Sequence, residues 1–105
     1  MDAVSVASDL RRATFSANEG TAFTFRLGSE RTVAMKLNKV SDARRGANQE
    51  QFSIFFLGPL ELFLQQALYQ VSHSTMGSFA LFIVPIAKEN NGFLYEAVFN
   101  IITYK

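Results

Sequence analysis

QFSIFFLGPLELFL, residues 51–64, decides the fold. Its apolar run is broken by Ser53, Gly58, Pro59 and Glu61, and so falls short of the roughly 20 apolar residues that a membrane-spanning helix requires. Its first half has a period of two. Phe52, Ile54 and Phe56 share one face, while Phe55 and Leu57 share the other with Ser53, which makes a β-strand apolar on both sides. Gly58-Pro59 ends the strand, because proline brings no N–H to a ladder. Phe52, Ile54 and Phe56 are assigned to the core. Phe55 and Leu57 must find cover elsewhere.

Working outward from this strand, Phe23, Phe25 and Leu27 alternate with Thr24 and Arg26; a turn at Gly28-Ser29-Glu30 follows, and then Val33, Met35 and Leu37 occupy one face of RTVAMKLNKV. That pattern is a hairpin with a marked core face. Residues 41–50, SDARRGANQE, have no periodicity and read as an exposed loop. Beyond Pro59, LELFLQQA predicts a single helical turn or a wide connection, and LYQVSH resumes strand character. Ser74-Thr75-Met76-Gly77 turns into SFALFIVPIAK, where Pro85 predicts an edge position or a bulge. Asn91-Gly92 predicts a tight hairpin, since both residues tolerate positive φ. In FLYEAVFNIITYK, Phe93, Tyr95, Ala97, Phe99 and Ile101 lie on one face, and Leu94, Val98 and Ile102 lie on the other with Glu96 and Asn100 between them. Residues 4–13 predict a short helix or an arm, with Ser5 or Ser8 as N-cap.

The expectation is therefore an all-β chain, residues 1–105 in one domain. About six strands form an antiparallel sandwich or small barrel, with residues 1–13 as arm or short helix. In such folds one strand face contacts the core and the other meets water. The later strands break that rule, and the residues that break it, Phe55, Leu57, Phe82, Leu94, Val98 and Ile102, are the candidate interface.

Composition supports this and excludes other classes. The chain of 105 residues is 49% hydrophobic and 18% charged, with eleven Phe and no Trp, against roughly 25% charged for an average soluble domain. A net charge of +1 provides no field to recruit nucleic acid or an anionic membrane. Aromatics fall mainly after residue 50 and bases before it, so the interleaving that single-stranded nucleic acid needs is missing. The absence of Cys leaves one His, His73, which excludes a zinc site of any common form and implies no cofactor. Ser72 and Ser74 flank His73 without a nucleophile elbow. Glu61 and Glu96 sit among apolar residues as candidate acids, with solvent exposure or pairing as the ordinary alternative. The N-terminus, MDAVSVASDLRR, lacks the basic start and apolar stretch of a secretion signal, so synthesis in the cytoplasm is expected.

The succession EGTAFTFRL, KLNKVSDA, QEQFSIFFLGP, LYQVSHSTMGSFALFIVPI and YEAVFN resembles a family of small uncharacterised bacterial β domains. FSIFFLGP and YEAVFN are its most specific pieces, and the likeness covers roughly residues 15–100. The resemblance implies gene company with phage-tail-like collar and fibre proteins, hence a part in assembling a particle or filament, and it brings no catalytic residues. The chain departs from the family pattern at Gln66-Ala67, where Gln-Gly is typical, and in the apolar Ile101, Ile102 and Tyr104 after Asn100. The expected function is a non-enzymatic assembly protein that self-associates or docks on a protein partner through apolar strand faces or an open edge. The rival expectation is a module that binds an apolar or glycan-like ligand at a barrel mouth near Tyr69, His73 and Tyr95.

Overall fold

The computed structural model describes residues 11–102. Of the segment read as an arm or helix, residues 1–10 lie outside the described residues. A short helix, α1 (Arg12–Ser16), leads into β1 (Ala22–Leu27), β2 (Arg31–Val40), β3 (Arg44–Arg45), β4 (Gln49–Gly58), β5 (Ala67–His73), β6 (Gly77–Glu89) and β7 (Gly92–Ile102). Antiparallel pairing runs β2–β1–β5–β6–β7–β4, and a β2–β4 ladder closes the ring. Of the two architectures the alternation allows, this is the barrel. β3 continues the line of β2 along β4, pairing Arg44 with Gln51 and Arg45 with Glu50, so residues 41–50 are not a pure loop as expected. Their lack of periodicity reflects a strand of two residues, too short to show a period.

Each strand turns inward the face its alternation marks. Phe23, Phe25, Met35, Leu37, Phe52, Ile54, Phe56, Val71, Leu81, Ile83, Tyr95 and Ala97 are all buried in one core. Phe55 and Leu57 fall outside it, as the period of two requires. The Pro85 expectation also holds: the β6–β7 register shifts between Pro85 and Ala87, and the bulge reverses the alternation beyond it, so that Ala87 faces outward opposite Leu94.

The hairpin at residues 89–92 is shifted by one from the sequence expectation. Glu89 pairs with Gly92, so the loop is Asn90-Asn91, and no non-glycine residue has positive φ among the described residues. Gly92 is needed for space instead: a Cβ there would strike the Gly58 carbonyl oxygen and crowd Leu57.

Both barrel ends are closed by the chain. In the ring β4 and β5 stand opposite each other, so the connection 59–66 crosses the upper end. There the Leu64 N–H donates to the Tyr95 hydroxyl at 2.8 Å, inside the core, and the Phe63 ring packs edge-on to Phe93 at 5.1 Å. At the lower end α1 is too short to persist alone and has no side-chain N-cap bond. It is held by Phe15, fully buried, whose ring lies 5.1 Å from Phe99, 6.1 Å from Phe79, 6.3 Å from Phe23 and 6.4 Å from Phe52. Polar ties reinforce it. Arg12 Nε donates to the Ser41 carbonyl at 2.6 Å, the Val40 N–H donates to Glu19 Oε2 at 2.7 Å, and the Gly20 N–H donates to the Leu37 carbonyl at 2.8 Å.

Replacing Phe15 by Ala is expected to cost about 3–5 kcal/mol in urea unfolding, the range for a large core truncation. Tyr95→Phe keeps the packing but leaves the Leu64 N–H buried without an acceptor, and is expected to cost about 1–3 kcal/mol in the same measurement.

Candidate functional site

On a closed barrel the outward half of each strand is the surface that partners meet, and it is normally polar. Here one sector is not. Outside β4 stand Ser53, Phe55 and Leu57, and outside β7 stand Leu94, Glu96, Val98, Asn100 and Ile102. Cross-strand registers join Leu57 to Leu94, Phe55 to Glu96 and Ser53 to Val98. Val84 of β6 opposes Glu96 from the other side, and Leu68 of β5 opposes Phe82 of β6. The sector therefore runs over four neighbouring strands.

The side chains in it are open to solvent to an unusual degree: Leu68 is 64% exposed, Val98 57%, Ile102 52% and Phe82 49%. Phe55, Leu57 and Leu94 are half-buried by their neighbours. At the centre, Glu96 Oε2 accepts a hydrogen bond from Ser53 Oγ at 2.7 Å, which holds the carboxylate down among the apolar groups. Lys36 and Lys39 of β2, opposite Leu57 and Phe55, give the sector a basic border.

All six residues expected at an interface lie on this outer face. Leu68, Val84 and Ile86 also belong to the exposed apolar surface and were missed in the sequence. Leu68 had a readable signal, because Tyr69 and Val71 on the inner face force it outward with Gln70 and Ser72 in between and beyond. Ile86 had one too, because the inward Phe79, Leu81 and Ile83 put Phe82, Val84 and Ile86 on the outer face.

The expected ligand mouth does not assemble. Tyr69 and Tyr95 belong to the upper end, but His73 lies at the lower end, four residues along β5 from Tyr69 and so about 13 Å away. His73 is tied up by its turn. Its Nδ1 accepts from the Thr75 N–H at 3.1 Å and the Met76 N–H at 3.3 Å, which assigns the ring proton to Nε2. Nε2 meets Thr21 Oγ1 at 2.9 Å, and that hydroxyl donates to the Asn18 carbonyl at 2.6 Å. The imidazole thus ties the β5–β6 turn to the segment after α1. The two candidate acids are not brought together either: Glu61 is exposed on the crossing connection, while Glu96 is engaged by Ser53 on the outside of β7. No group of three or more His, Cys, Asp or Glu side chains is placed to hold a metal among the described residues. No helix among them is long and apolar enough to cross a membrane.

Surface grooves are also present among the described residues. One of about 320 Å³ overlies the narrow β1–β5 seam and is lined by Thr24, Arg26, Thr32, Gln70, Ser72 and Ser78. Another of about 360 Å³ lies beside β3 and is lined by Ser41, Asp42, Arg44, Gln51, Ser53 and Phe55. Neither collects an acid–base pair or a nucleophile with its base.

Burial, with Tyr95 as a second and smaller cause, raises the Tyr69 phenol above its ordinary pKa of 10.0. A raised folded-state value means that the protonated phenol favours folding: the contribution is complete below pH 10 and is lost as pH rises through the raised value. Alkaline titration of urea stability is expected to show a decline above pH 10 that is shallower in Tyr69→Phe; parallel curves for the two proteins would contradict it.

The model of a family described as a domain of unknown function, DUF6916, matches residues 10–99, and the chain belongs to that family. No curated protein and no solved structure matches the chain.

Proposed function

We propose that this member of the DUF6916 family is a non-enzymatic assembly module, which docks on a protein partner or on further copies of itself through the outer face of β5, β6, β7 and β4. The observation that carries the reading is the exposure of Leu68, Phe82, Val98 and Ile102 on neighbouring strands of one sector. Contiguous exposed apolar surface with a polar border marks an interaction site more often than an inert face. The bound-up His73, the separated Glu61 and Glu96, and the lack of a shared mouth for Tyr69, His73 and Tyr95 leave catalysis and ligand binding with less support. Incorporation into an extended, phage-tail-like particle fits the same reading, because such particles are built from many weak, repeated contacts.

Magnitudes decide what kind of contact this is. Full burial of a Leu, Val, Ile or Phe side chain gains roughly 1.5–3 kcal/mol. About half of each of the four side chains is already covered, so their gross gain is about 3–6 kcal/mol. Association costs roughly 4–15 kcal/mol in lost freedom. The apolar face alone therefore supports a reversible contact, and a durable one needs the half-buried Phe55, Leu57 and Leu94 or backbone pairing in addition.

Light scattering over a range of concentrations tests the reading. The expected result is a mass that rises with concentration, with Phe82→Ser and Leu68→Ser each weakening association about tenfold while the thermal midpoint stays near that of the parent. A protein that stays a monodisperse monomer at every concentration, and binds no product of a neighbouring gene, would overturn it.

A further inference from the structure

The ladder between β6 and β7 stops partway along the barrel. Its rungs run from Glu89 and Gly92 to Val84 and Glu96, whereas β7 stays on β4 as far as Gln49 and Ile102. The first half of β6 pairs with β5 instead, from Gly77 opposite His73 to Ile83 opposite Ala67. Ala97–Ile102 thus has β4 on one edge and, among the described residues, no strand on the other. Beneath the gap the Phe15 ring lies between Phe79 of β6 and Phe99 of β7, sealing the core without supplying a strand.

Sheet edges that are to stay solitary are usually blunted by charge, proline or a bulge. In this chain Pro85, the bulge beside it, Lys88 and Glu89 all lie where β6 is already paired with β7. The open stretch, Ala97-Val98-Phe99-Asn100-Ile101-Ile102, has none of these, and its register with β4 is unbroken. The protection is on the paired segment and missing from the bare one.

We propose that Ala97–Ile102 is a self-association edge: β7 of one chain pairs antiparallel with β7 of a second copy about a two-fold axis at Asn100. This rests on the docking reading and names its partner. An isologous pairing sets each residue opposite its counterpart across the axis, so a self-pairing strand must be free of charge and symmetric in polarity. This stretch is both. With Asn100 on the axis, Val98 meets Ile102 and Phe99 meets Ile101 of the second copy, while the two Asn100 amides, each both donor and acceptor, meet one another. Moving the axis by one residue puts Asn100 opposite Ile102 or Val98; moving it by half a residue sets outward-facing positions against inward-facing ones. Only the Asn100 register matches apolar to apolar and amide to amide. The pairing joins β4–β7 of both copies into one sheet, lays Val98 and Ile102 against their counterparts, and adds the backbone hydrogen bonds that the apolar face lacks.

Charge exchange at the axis tests the proposal on the full chain. Asn100→Asp and Asn100→Lys are each expected to lose dimer in sedimentation velocity, since like charges meet at the axis, with thermal midpoints close to the parent; an equimolar mixture of the two is expected to restore a dimer containing one of each. Because the chain has no Cys, Asn100→Cys supplies a single thiol, expected to oxidise to a covalent dimer, whereas Thr24→Cys on the outside of β1 is expected to form no covalent dimer under the same conditions. Dimers that survive both charge variants, or a mixture that stays monomeric, overturn β7 pairing. If association persists in both charge variants but is lost in Phe82→Ser, the docking reading stands and the β7 edge falls; if the parent protein is a monomer throughout, the β7 edge falls, and the docking reading falls with it when no product of a neighbouring gene binds either.

Discussion

Phe15 contacts four other phenylalanines, Phe23, Phe52, Phe79 and Phe99, on four different strands. A barrel whose β6–β7 ladder stops halfway would leave its core open to water at that end. One aromatic ring supplied by a five-residue helix closes it. The helix in turn depends on that ring, since its own hydrogen bonds are too few to hold it. The polar ties of Arg12, Glu19 and Gly20 to the ends of β2 then set the helix across the barrel rather than beside it. Because closure is achieved by a side chain, the backbone of β7 from Ala97 to Ile102 is left with an edge that no strand among the described residues uses.

The same logic explains where the apolar residues ended up. A six-stranded barrel this small fills its interior with one inward residue per rung, and Phe23, Phe25, Phe56, Ile83 and Tyr95 occupy that space. The remaining apolar residues of β4 and β7 cannot enter, because the period of two sends Phe55, Leu57, Leu94 and Val98 outward whatever their hydrophobicity. Exposure here is a geometric consequence of strand alternation. Its retention on four neighbouring strands, around a single anchored carboxylate at Glu96, is what makes the sector a functional surface in this reading.

Much of this was legible in the chain. The inward set around Phe52, Ile54 and Phe56, the bulge at Pro85, the glycine turns at Gly28 and Gly77, and the six outward apolar residues all follow from patterns two to four residues long. What was misread depended on contacts from afar. Residues 41–50 acquire β3 because β4 offers an edge, Gly92 is required by the Gly58 carbonyl rather than by turn torsions, and Tyr69 and His73 are parted by the length of β5. Membership of the DUF6916 family agrees with the resemblance to an uncharacterised domain family, and the match over residues 10–99 spans α1 and nearly all of the barrel.

The sequence by itself determined where the six barrel strands lie and which face of each is apolar, because alternation is a property of neighbouring residues and needs no partner to be read. The tertiary structure alone decided that the strands close into a ring, that β4 and β5 stand opposite so that residues 59–66 seal one end, and that Phe15 seals the other. It also decided which edge is left over. Pairing is made between residues far apart in the chain, and no local pattern in AVFNII records that the strand beside it parts company at Glu96.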